Sequence, residues 1–190
     1  MINGSWDIII AHPPCTYLTN VATRHHSLKC STLPKINART DKRIEAMRMF
    51  MRFAEADCEK IAIENPIGVM NVSYRAPDQI LHPYMFAGSI YDEDYVTKAT
   101  CLWLKGLPPL ERTNDFPKPN NKEIFGVFPS GKVRTWEDSL CRVGGAEKVR
   151  SRTFYGIAQA MANQWGGNYE QRKMESFTRF PELIFSVEER

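Results

Sequence analysis

The chain has no Cys-x-x-Cys pair, no glycine-rich phosphate loop following a strand pattern, no internal repeat and no low-complexity tract. Its five cysteines are scattered and odd in number, which argues against a disulfide framework and a zinc ribbon and leaves reduced thiols as the default. No apolar run approaches the roughly 20 residues of a membrane span, and Asp7 interrupts the opening stretch where a signal peptide would need continuity. A cytoplasmic protein with no membrane partner is therefore expected. A strong excess of either charge is also missing. The net charge of +3 and pI near 8.6 are far from the polybasic balance that by itself marks a nucleic-acid binder.

What is there is an ordinary globular composition, 43% hydrophobic and 25% charged over 190 residues. That is enough for one α/β domain with a real core. The domain is expected over residues 1–167, with a charged tail over 168–190 whose Phe177, Phe180, Leu183 and Phe185 are available for docking.

The chain is organised around Ser5-Trp6-Asp7-Ile8-Ile9-Ile10-Ala11-His12-Pro13-Pro14-Cys15-Thr16-Tyr17. Ile8 to Ala11 is short, apolar on both alternating faces and rich in β-branched residues, the pattern of a strand covered on both sides. Proline has no amide hydrogen for a ladder and holds its predecessor extended, so the strand stops near His12. Cys15 then lies just past a strand's carboxyl end, the rim where open α/β sheets bind ligands. It is either a reactive thiol on that rim or a small buried apolar residue.

Residues 16–39 show no sustained period and read as a long loop, the kind that usually carries function. His12, Cys15, His25, His26 and Cys30 match no familiar zinc spacing, so no metal is expected. From Thr40, which can cap it, a helical pattern runs through Ile44, Met47, Phe50, Met51 and Ala54. Lys60-Ile61-Ala62-Ile63-Glu64-Asn65-Pro66 repeats the opening design and predicts a strand ending at Glu64 or Asn65. Strand, helix, strand is a crossover unit, so the two strands are parallel and their carboxyl ends share one rim. Cys15 and Glu64 then face one crevice as a nucleophile and a proton-handling group. The bland reading of Glu64 is a cap on the following turn.

Residues 68–135 read as largely irregular, a region in which a target-recognising segment fits, apart from a strand over Tyr95 to Leu104. That strand has Cys101 and Trp103 on one face and Leu102 and Leu104 on the other. Gly144-Gly145 with Ala146 to Arg150 suggests a turn and a short helix. A second amphipathic helix runs from Phe154 through Trp165, with Ile157, Ala160, Met161 and Trp165 on one face and Gly166-Gly167 as its stop. Cations crowd two segments, Arg24, Lys29, Lys35, Arg39, Lys42 and Arg43 in one, Arg142, Lys148, Arg150 and Arg152 in the other. Each is either a solvated face or part of a phosphate-tracking surface.

With Pro13-Pro14-Cys15 and Glu64-Asn65-Pro66 both in place, the chain resembles the DNA cytosine-5 methyltransferases, most of all a group of small phage and prophage proteins of that kind. The resemblance extends to Thr100-Cys101-Leu102-Trp103-Leu104-Lys105-Gly106-Leu107-Pro108-Pro109-Leu110 and to Arg152-Thr153-Phe154-Tyr155-Gly156-Ile157-Ala158, and covers most of residues 5–166. It implies a partial Rossmann-like methyltransferase fold, a mostly parallel sheet with flanking helices, in which the opening strand corresponds to the family's fourth and the Glu-Asn strand to its fifth. It also implies that Cys15 adds to C6 of a cytosine flipped out of DNA, that Glu64 holds or protonates N3, and that a methyl group passes from S-adenosylmethionine to C5. Pro13, Pro14 and Asn65 belong to the same motifs as substrate-binding positions. Lys98 and Thr100, by their place on the strand, and Arg150 and Arg152 are candidates for contact with the flipped nucleotide or its phosphate.

The chain departs from the family at Thr16, where glutamine is usual, and at Pro66, where valine or a similar residue is usual. An arginine-rich motif after the Glu-Asn strand is not evident. The family's cofactor site rests on three strands ahead of the Pro-Cys strand, whereas only Met1 to Ser5 precede it here. The cofactor-binding half is therefore expected from an upstream segment or a second chain. The competing expectation is a catalytically silent nucleic-acid-binding or interaction protein that kept the base pocket. An amino-methyltransferase is a third, more distant reading, since His12-Pro13-Pro14-Cys15 shares only the prolines of that motif.

Overall fold

The computed structural model describes residues 6–20, 25–120, 131 and 154–167. Their elements are β1 (Ile9–Ala11), α1 (Leu33–Ala54), β2 (Ile61–Pro66), α2 (Met70–Ser73), β3 (Gln79–Leu81), a 3-10 turn at Pro83–Phe86, β4 (Thr100–Lys105) and α3 (Tyr155–Trp165). The fold is mixed α/β around an open four-stranded sheet of order β1-β2-β4-β3.

Alternation along the strands divides the core between the two faces of that sheet. Ile61, Ile63, Cys101 and Trp103 point to one face with Ala11, where Phe50, Met47 and Met51 of α1 cover them. Ala62 and Leu102 point to the other, where Ile157, Ala160, Met161 and Trp165 of α3 cover them together with Phe86 and Leu110. Phe50 is the centre of the first layer, fully buried and edge-on to Trp103 at 5.1 Å and to Tyr74 at 5.7 Å between ring centroids. Burying such a side chain contributes about 1.5–3 kcal/mol, with the edge-to-face geometry adding to it. The face expected for α3 is the one observed, and Gly167, at φ 68°, ends the helix in the left-handed conformation that glycine takes readily.

The parallel pairing of β1 with β2, Ala11 opposite Ile63, is as expected from the crossover argument. The expectation of a mostly parallel sheet is corrected by the other two pairings. β4 runs antiparallel to β2 and β3 antiparallel to β4. A parallel neighbour needs a crossover that carries the chain back to the starting end of the sheet. Between β2 and β4 the chain forms only the four-residue α2, the short β3 and the 3-10 turn, and β4 enters from the opposite end.

Three boundaries also differ. The α1 helix begins at Leu33, well before Thr40, with Pro34 in its first turn, where the missing amide hydrogen costs nothing. Its opening residues Leu33, Pro34, Lys35, Asn37 and Ala38 are exposed, so they carry no hydrophobic period to read. Thr40 is not a cap: its hydroxyl donates back to the Ile36 carbonyl at 2.9 Å inside the helix. Residues 68–94, expected to be irregular, contain α2, β3 and the 3-10 turn. The strand expected over Tyr95 to Leu104 begins later, at Thr100, with the expected faces. The short helix expected over Ala146 to Arg150 and the tail lie outside the described residues. No helix among the described residues is long and apolar enough to cross a membrane.

Candidate active site

The parallel register fixes which residues meet at the rim. Ala11 lies opposite Ile63, so the next position of each strand brings His12 beside Glu64. Their side chains share the face that α3 covers lower down, because His12 follows Ile8 and Ile10 in parity and Glu64 follows Ala62. The imidazole Nδ1 of His12 lies 3.0 Å from Oε2 of Glu64, with the carboxylate 21% exposed and the imidazole 36%. The partner the structure gives Glu64 is thus His12, a residue that its local sequence does not single out as a functional group. Its signal is the register itself: two residues one step past a parallel pair are neighbours.

The next residue, Asn65, turns to the opposite face and is buried. Its amide Nδ2 donates to the Pro13 carbonyl at 2.9 Å. This bond pins the Pro-Pro segment, and with it the approach to Cys15, to the end of β2. Pro13 is buried, Pro14 exposed and Cys15 half-buried. The Cys15 carbonyl accepts from the amides of Leu18 and Thr19 at 2.9 and 3.1 Å, closing a single helical turn that starts at the cysteine.

A second set of bonds joins that turn to the loop after β2. The Val69 amide donates to the Leu18 carbonyl at 2.8 Å and the Asn20 amide to the Ile67 carbonyl at 3.3 Å. Gly68 lies between them. A Cβ there would sit 1.9 Å from the Leu18 carbonyl oxygen, so the two loops approach this closely only because residue 68 has no side chain. Asn71 completes the junction, accepting from the Gly68 amide at 2.8 Å and donating to the Cys101 thiol at 3.4 Å.

Cys101 shows what a structural thiol in this protein is like. It is fully buried on β4 opposite Asn65, and burial pushes its pKa up, with the nearby Glu64 charge adding to the shift against the Asn71 hydrogen bond. A thiol so protonated is inert as a nucleophile. Cys15, on a half-buried turn at the rim, is in the different situation that reactive cysteines require.

Cations gather on the outer side of the same turn. Arg43 Nε donates to the Tyr17 carbonyl at 3.0 Å, Arg39 reaches the Thr16 carbonyl at 3.5 Å, and the Arg39 guanidinium and Lys42 ammonium lie 5.0 and 5.8 Å from the Tyr17 ring centroid. His26, beside Thr40, has its pKa lowered first by burial and then by the charges of Arg43, Arg39 and His25.

The remaining candidates are placed as follows. Thr100 is buried at the start of β4, opposite Pro66, with its hydroxyl near the Lys98 carbonyl at 3.4 Å. The Lys98 ammonium lies 5.0 Å from the Phe154 ring centroid at the start of α3. Arg150 and Arg152 lie outside the described residues. Among the described residues no three His, Cys, Asp or Glu side chains converge as a metal site would require, and no strand is followed by a glycine-rich turn of the dinucleotide-binding kind.

The sequence of the chain matches no known family profile and no curated protein.

Proposed function

We propose that the joined ends of β1 and β2 form the pocket of a DNA cytosine-5 methyltransferase-like protein, in which Cys15 attacks C6 of a cytosine turned out of its strand. The observation that carries this reading is the rim itself. The Asn65 side chain holds the Pro13 carbonyl two residues before the thiol, while the adjacent Glu64 holds its carboxylate on His12. The Cys15 turn is thereby tied by hydrogen bonds to the end of β2, the strand that carries Glu64, which supports a nucleophile and a proton-handling carboxyl acting at one rim.

The chemistry balances without a cofactor up to the enamine. The Cys15 thiolate forms the S–C6 bond, the C5–C6 π pair moves into the ring, and Glu64 supplies the proton that N3 takes up. His12, hydrogen-bonded to Glu64, orients that carboxyl and can return its proton. C5 is then nucleophilic, and reversal through proton exchange at C5 regenerates cytosine.

S-adenosylmethionine is the methyl donor that the resemblance implies. The described residues do not supply its site. The arrangement of β1 and β2 is compatible with the fourth and fifth strands of a doubly wound sheet, and among the described residues β1 is an edge strand with Ile10 and the preceding Trp6 exposed. We assign the cofactor-binding half to further strands added at that edge.

Release of tritium from C5-tritiated cytosine in DNA tests the addition step without any cofactor. Release by the wild-type protein supports it, and retention of all tritium under conditions of full DNA binding sinks it. The second reading, a silent nucleic-acid-binding protein, is favoured by the lack of a glycine-rich turn among the described residues. DNA binding without tritium release and without binding of labelled S-adenosylmethionine would select it.

A further inference from the structure

The cationic face of α1 beside the Cys15 turn is used by no acid among the described residues. At 3.6 residues per turn Lys35, Arg39, Lys42 and Arg43 fall on one side of the helix, and Asp41 and Glu45, its only acids, fall on the other. The ion pairs His12–Glu64 and Arg75–Asp78 involve none of these four cations, and none of the four is seen paired with a carboxylate among the described residues. Arg43 serves the fold by holding the Tyr17 carbonyl. Arg39 is differently placed. One of its terminal nitrogens makes a long 3.5 Å bond to the Thr16 carbonyl, while its Nε is buried without a partner. The Nε2 atom of the adjacent His26 is buried and unpartnered as well. A guanidinium donor left unmet inside a cluster of like charge costs stability, and an anion brought to that guanidinium offsets the charge.

We propose that Arg39 and Lys42, gathered on Tyr17, hold a backbone phosphate of the DNA strand whose base is presented to Cys15. Tyr17 is two residues from the thiol, so a phosphate held above its ring belongs to the target nucleotide or its neighbour. The guanidinium offers the fork that a phosphodiester accepts, and the exposed ammonium adds a point charge. This contact rests on the proposed function for the identity of the strand. It adds a place where the strand is gripped independently of the base pocket.

The test is a salt series of binding to a labelled DNA duplex carrying a mismatched cytosine, read by fluorescence anisotropy for the wild type, Arg39→Gln, Lys42→Gln and the double variant. Each phosphate contact adds about 0.9 to the slope of log affinity against log salt. The double variant is expected to lose about that much slope, which is about tenfold in affinity at about 0.1 M salt and vanishes towards 1 M. Lys42→Gln alters an exposed side chain with no hydrogen bond among the described residues, so its loss of slope is read free of any folding defect. Unchanged slope and affinity in both single variants and the double variant would overturn the assignment. So would loss confined to competition by inorganic phosphate, which would mark a free-anion site. Cys15→Ser separates this contact from the chemistry: it is expected to bind with the wild-type slope even where it abolishes tritium release. A protein that releases no tritium yet loses slope on the α1 substitutions retains the phosphate site and gives up the base chemistry.

Discussion

Arg75 and Arg39 belong to regions built on opposite principles. Arg75 is part of the β3–β4 wing, and its guanidinium is satisfied on every side, by Asp78 at 2.7 Å, by the Leu104 carbonyl at 3.0 Å and by the Tyr74 ring at 5.4 Å. Asp78 in turn accepts from the Leu104 amide, and the Arg75 carbonyl accepts from Trp103 Nε1 at 2.9 Å. The charges there are part of the sheet. At the β1–β2 rim the Arg39 guanidinium has no carboxylate among the described residues, a buried unpartnered Nε and only a long bond to Thr16. The rim instead places its acid, Glu64, on His12. Charge is paired internally in the wing, whereas at the rim the Arg39 guanidinium has no carboxylate among the described residues.

Rim and wing share one core. Phe50 of α1 packs on the sheet beside Ile61 and Ile63 and edge-on to Trp103 of the wing, so Phe50→Ala is expected to destabilise the whole domain by about 3–5 kcal/mol. Chemical denaturation should show a single lowered transition. Two separated transitions would mean that rim and wing are independent units. The next effect is local to the rim. Gly68→Ala drives a methyl group into the Leu18 carbonyl and should cost about 1–3 kcal/mol while reducing tritium release far more than an equally destabilising wing substitution. Equal activity at matched stability would show that the junction of the two loops does not position Cys15.

The smallest effect sharpens the wing. Burial raises the pKa of Asp78, but the hydrogen bonds from Arg75 and the Leu104 amide outweigh it and hold the carboxyl below its ordinary value. A carboxyl depressed on folding stabilises the protein above its unfolded pKa, about 3.9, and that contribution is lost as pH falls through the lower folded value. Asp78→Asn should therefore lower stability at neutral pH by less than about 1 kcal/mol, because the pair is half exposed, and should flatten the acid limb of the stability profile. Tritium release should be unaffected.

The legible parts of this protein are those with a hydrophobic period. Ile61 to Asn65, Cys101 to Leu104 and the face of α3 are two-sided or amphipathic patterns, and the structure places them as read, whereas Ile8 to Ala11, read as covered on both sides, is an edge strand over Ile9–Ala11 with Ile10 exposed. The first turns of α1 bury almost nothing and so have no period, and Gln79–Leu81 is a three-residue edge strand held by Asp78 and Gln79 side chains rather than by its own alternation. Pairing direction is legible only where a helix intervenes. Of the site, Cys15, Glu64 and Asn65 can be proposed from strand ends, but the roles of His12, Gly68 and Asn71 depend on register and loop approach, which are long-range properties of the folded chain. Asn65, whose motif implies contact with the base, uses its amide nitrogen on the Pro13 carbonyl.

The most direct test of the central claim locates the bond itself. In DNA carrying 5-azacytosine the electron-poor ring favours addition of a thiolate at C6, with the electron pair passing to N5, which takes a proton; because loss of that N–H reverses the addition, the adduct is captured by rapid denaturation of the mixture. After incubation and nuclease digestion, peptide mass spectrometry should find the modified base on Cys15, with none in Cys15→Ser and with formation slowed about a hundredfold or more in Glu64→Gln. An adduct on Cys30, or one that forms equally well in Cys15→Ser, would contradict the account.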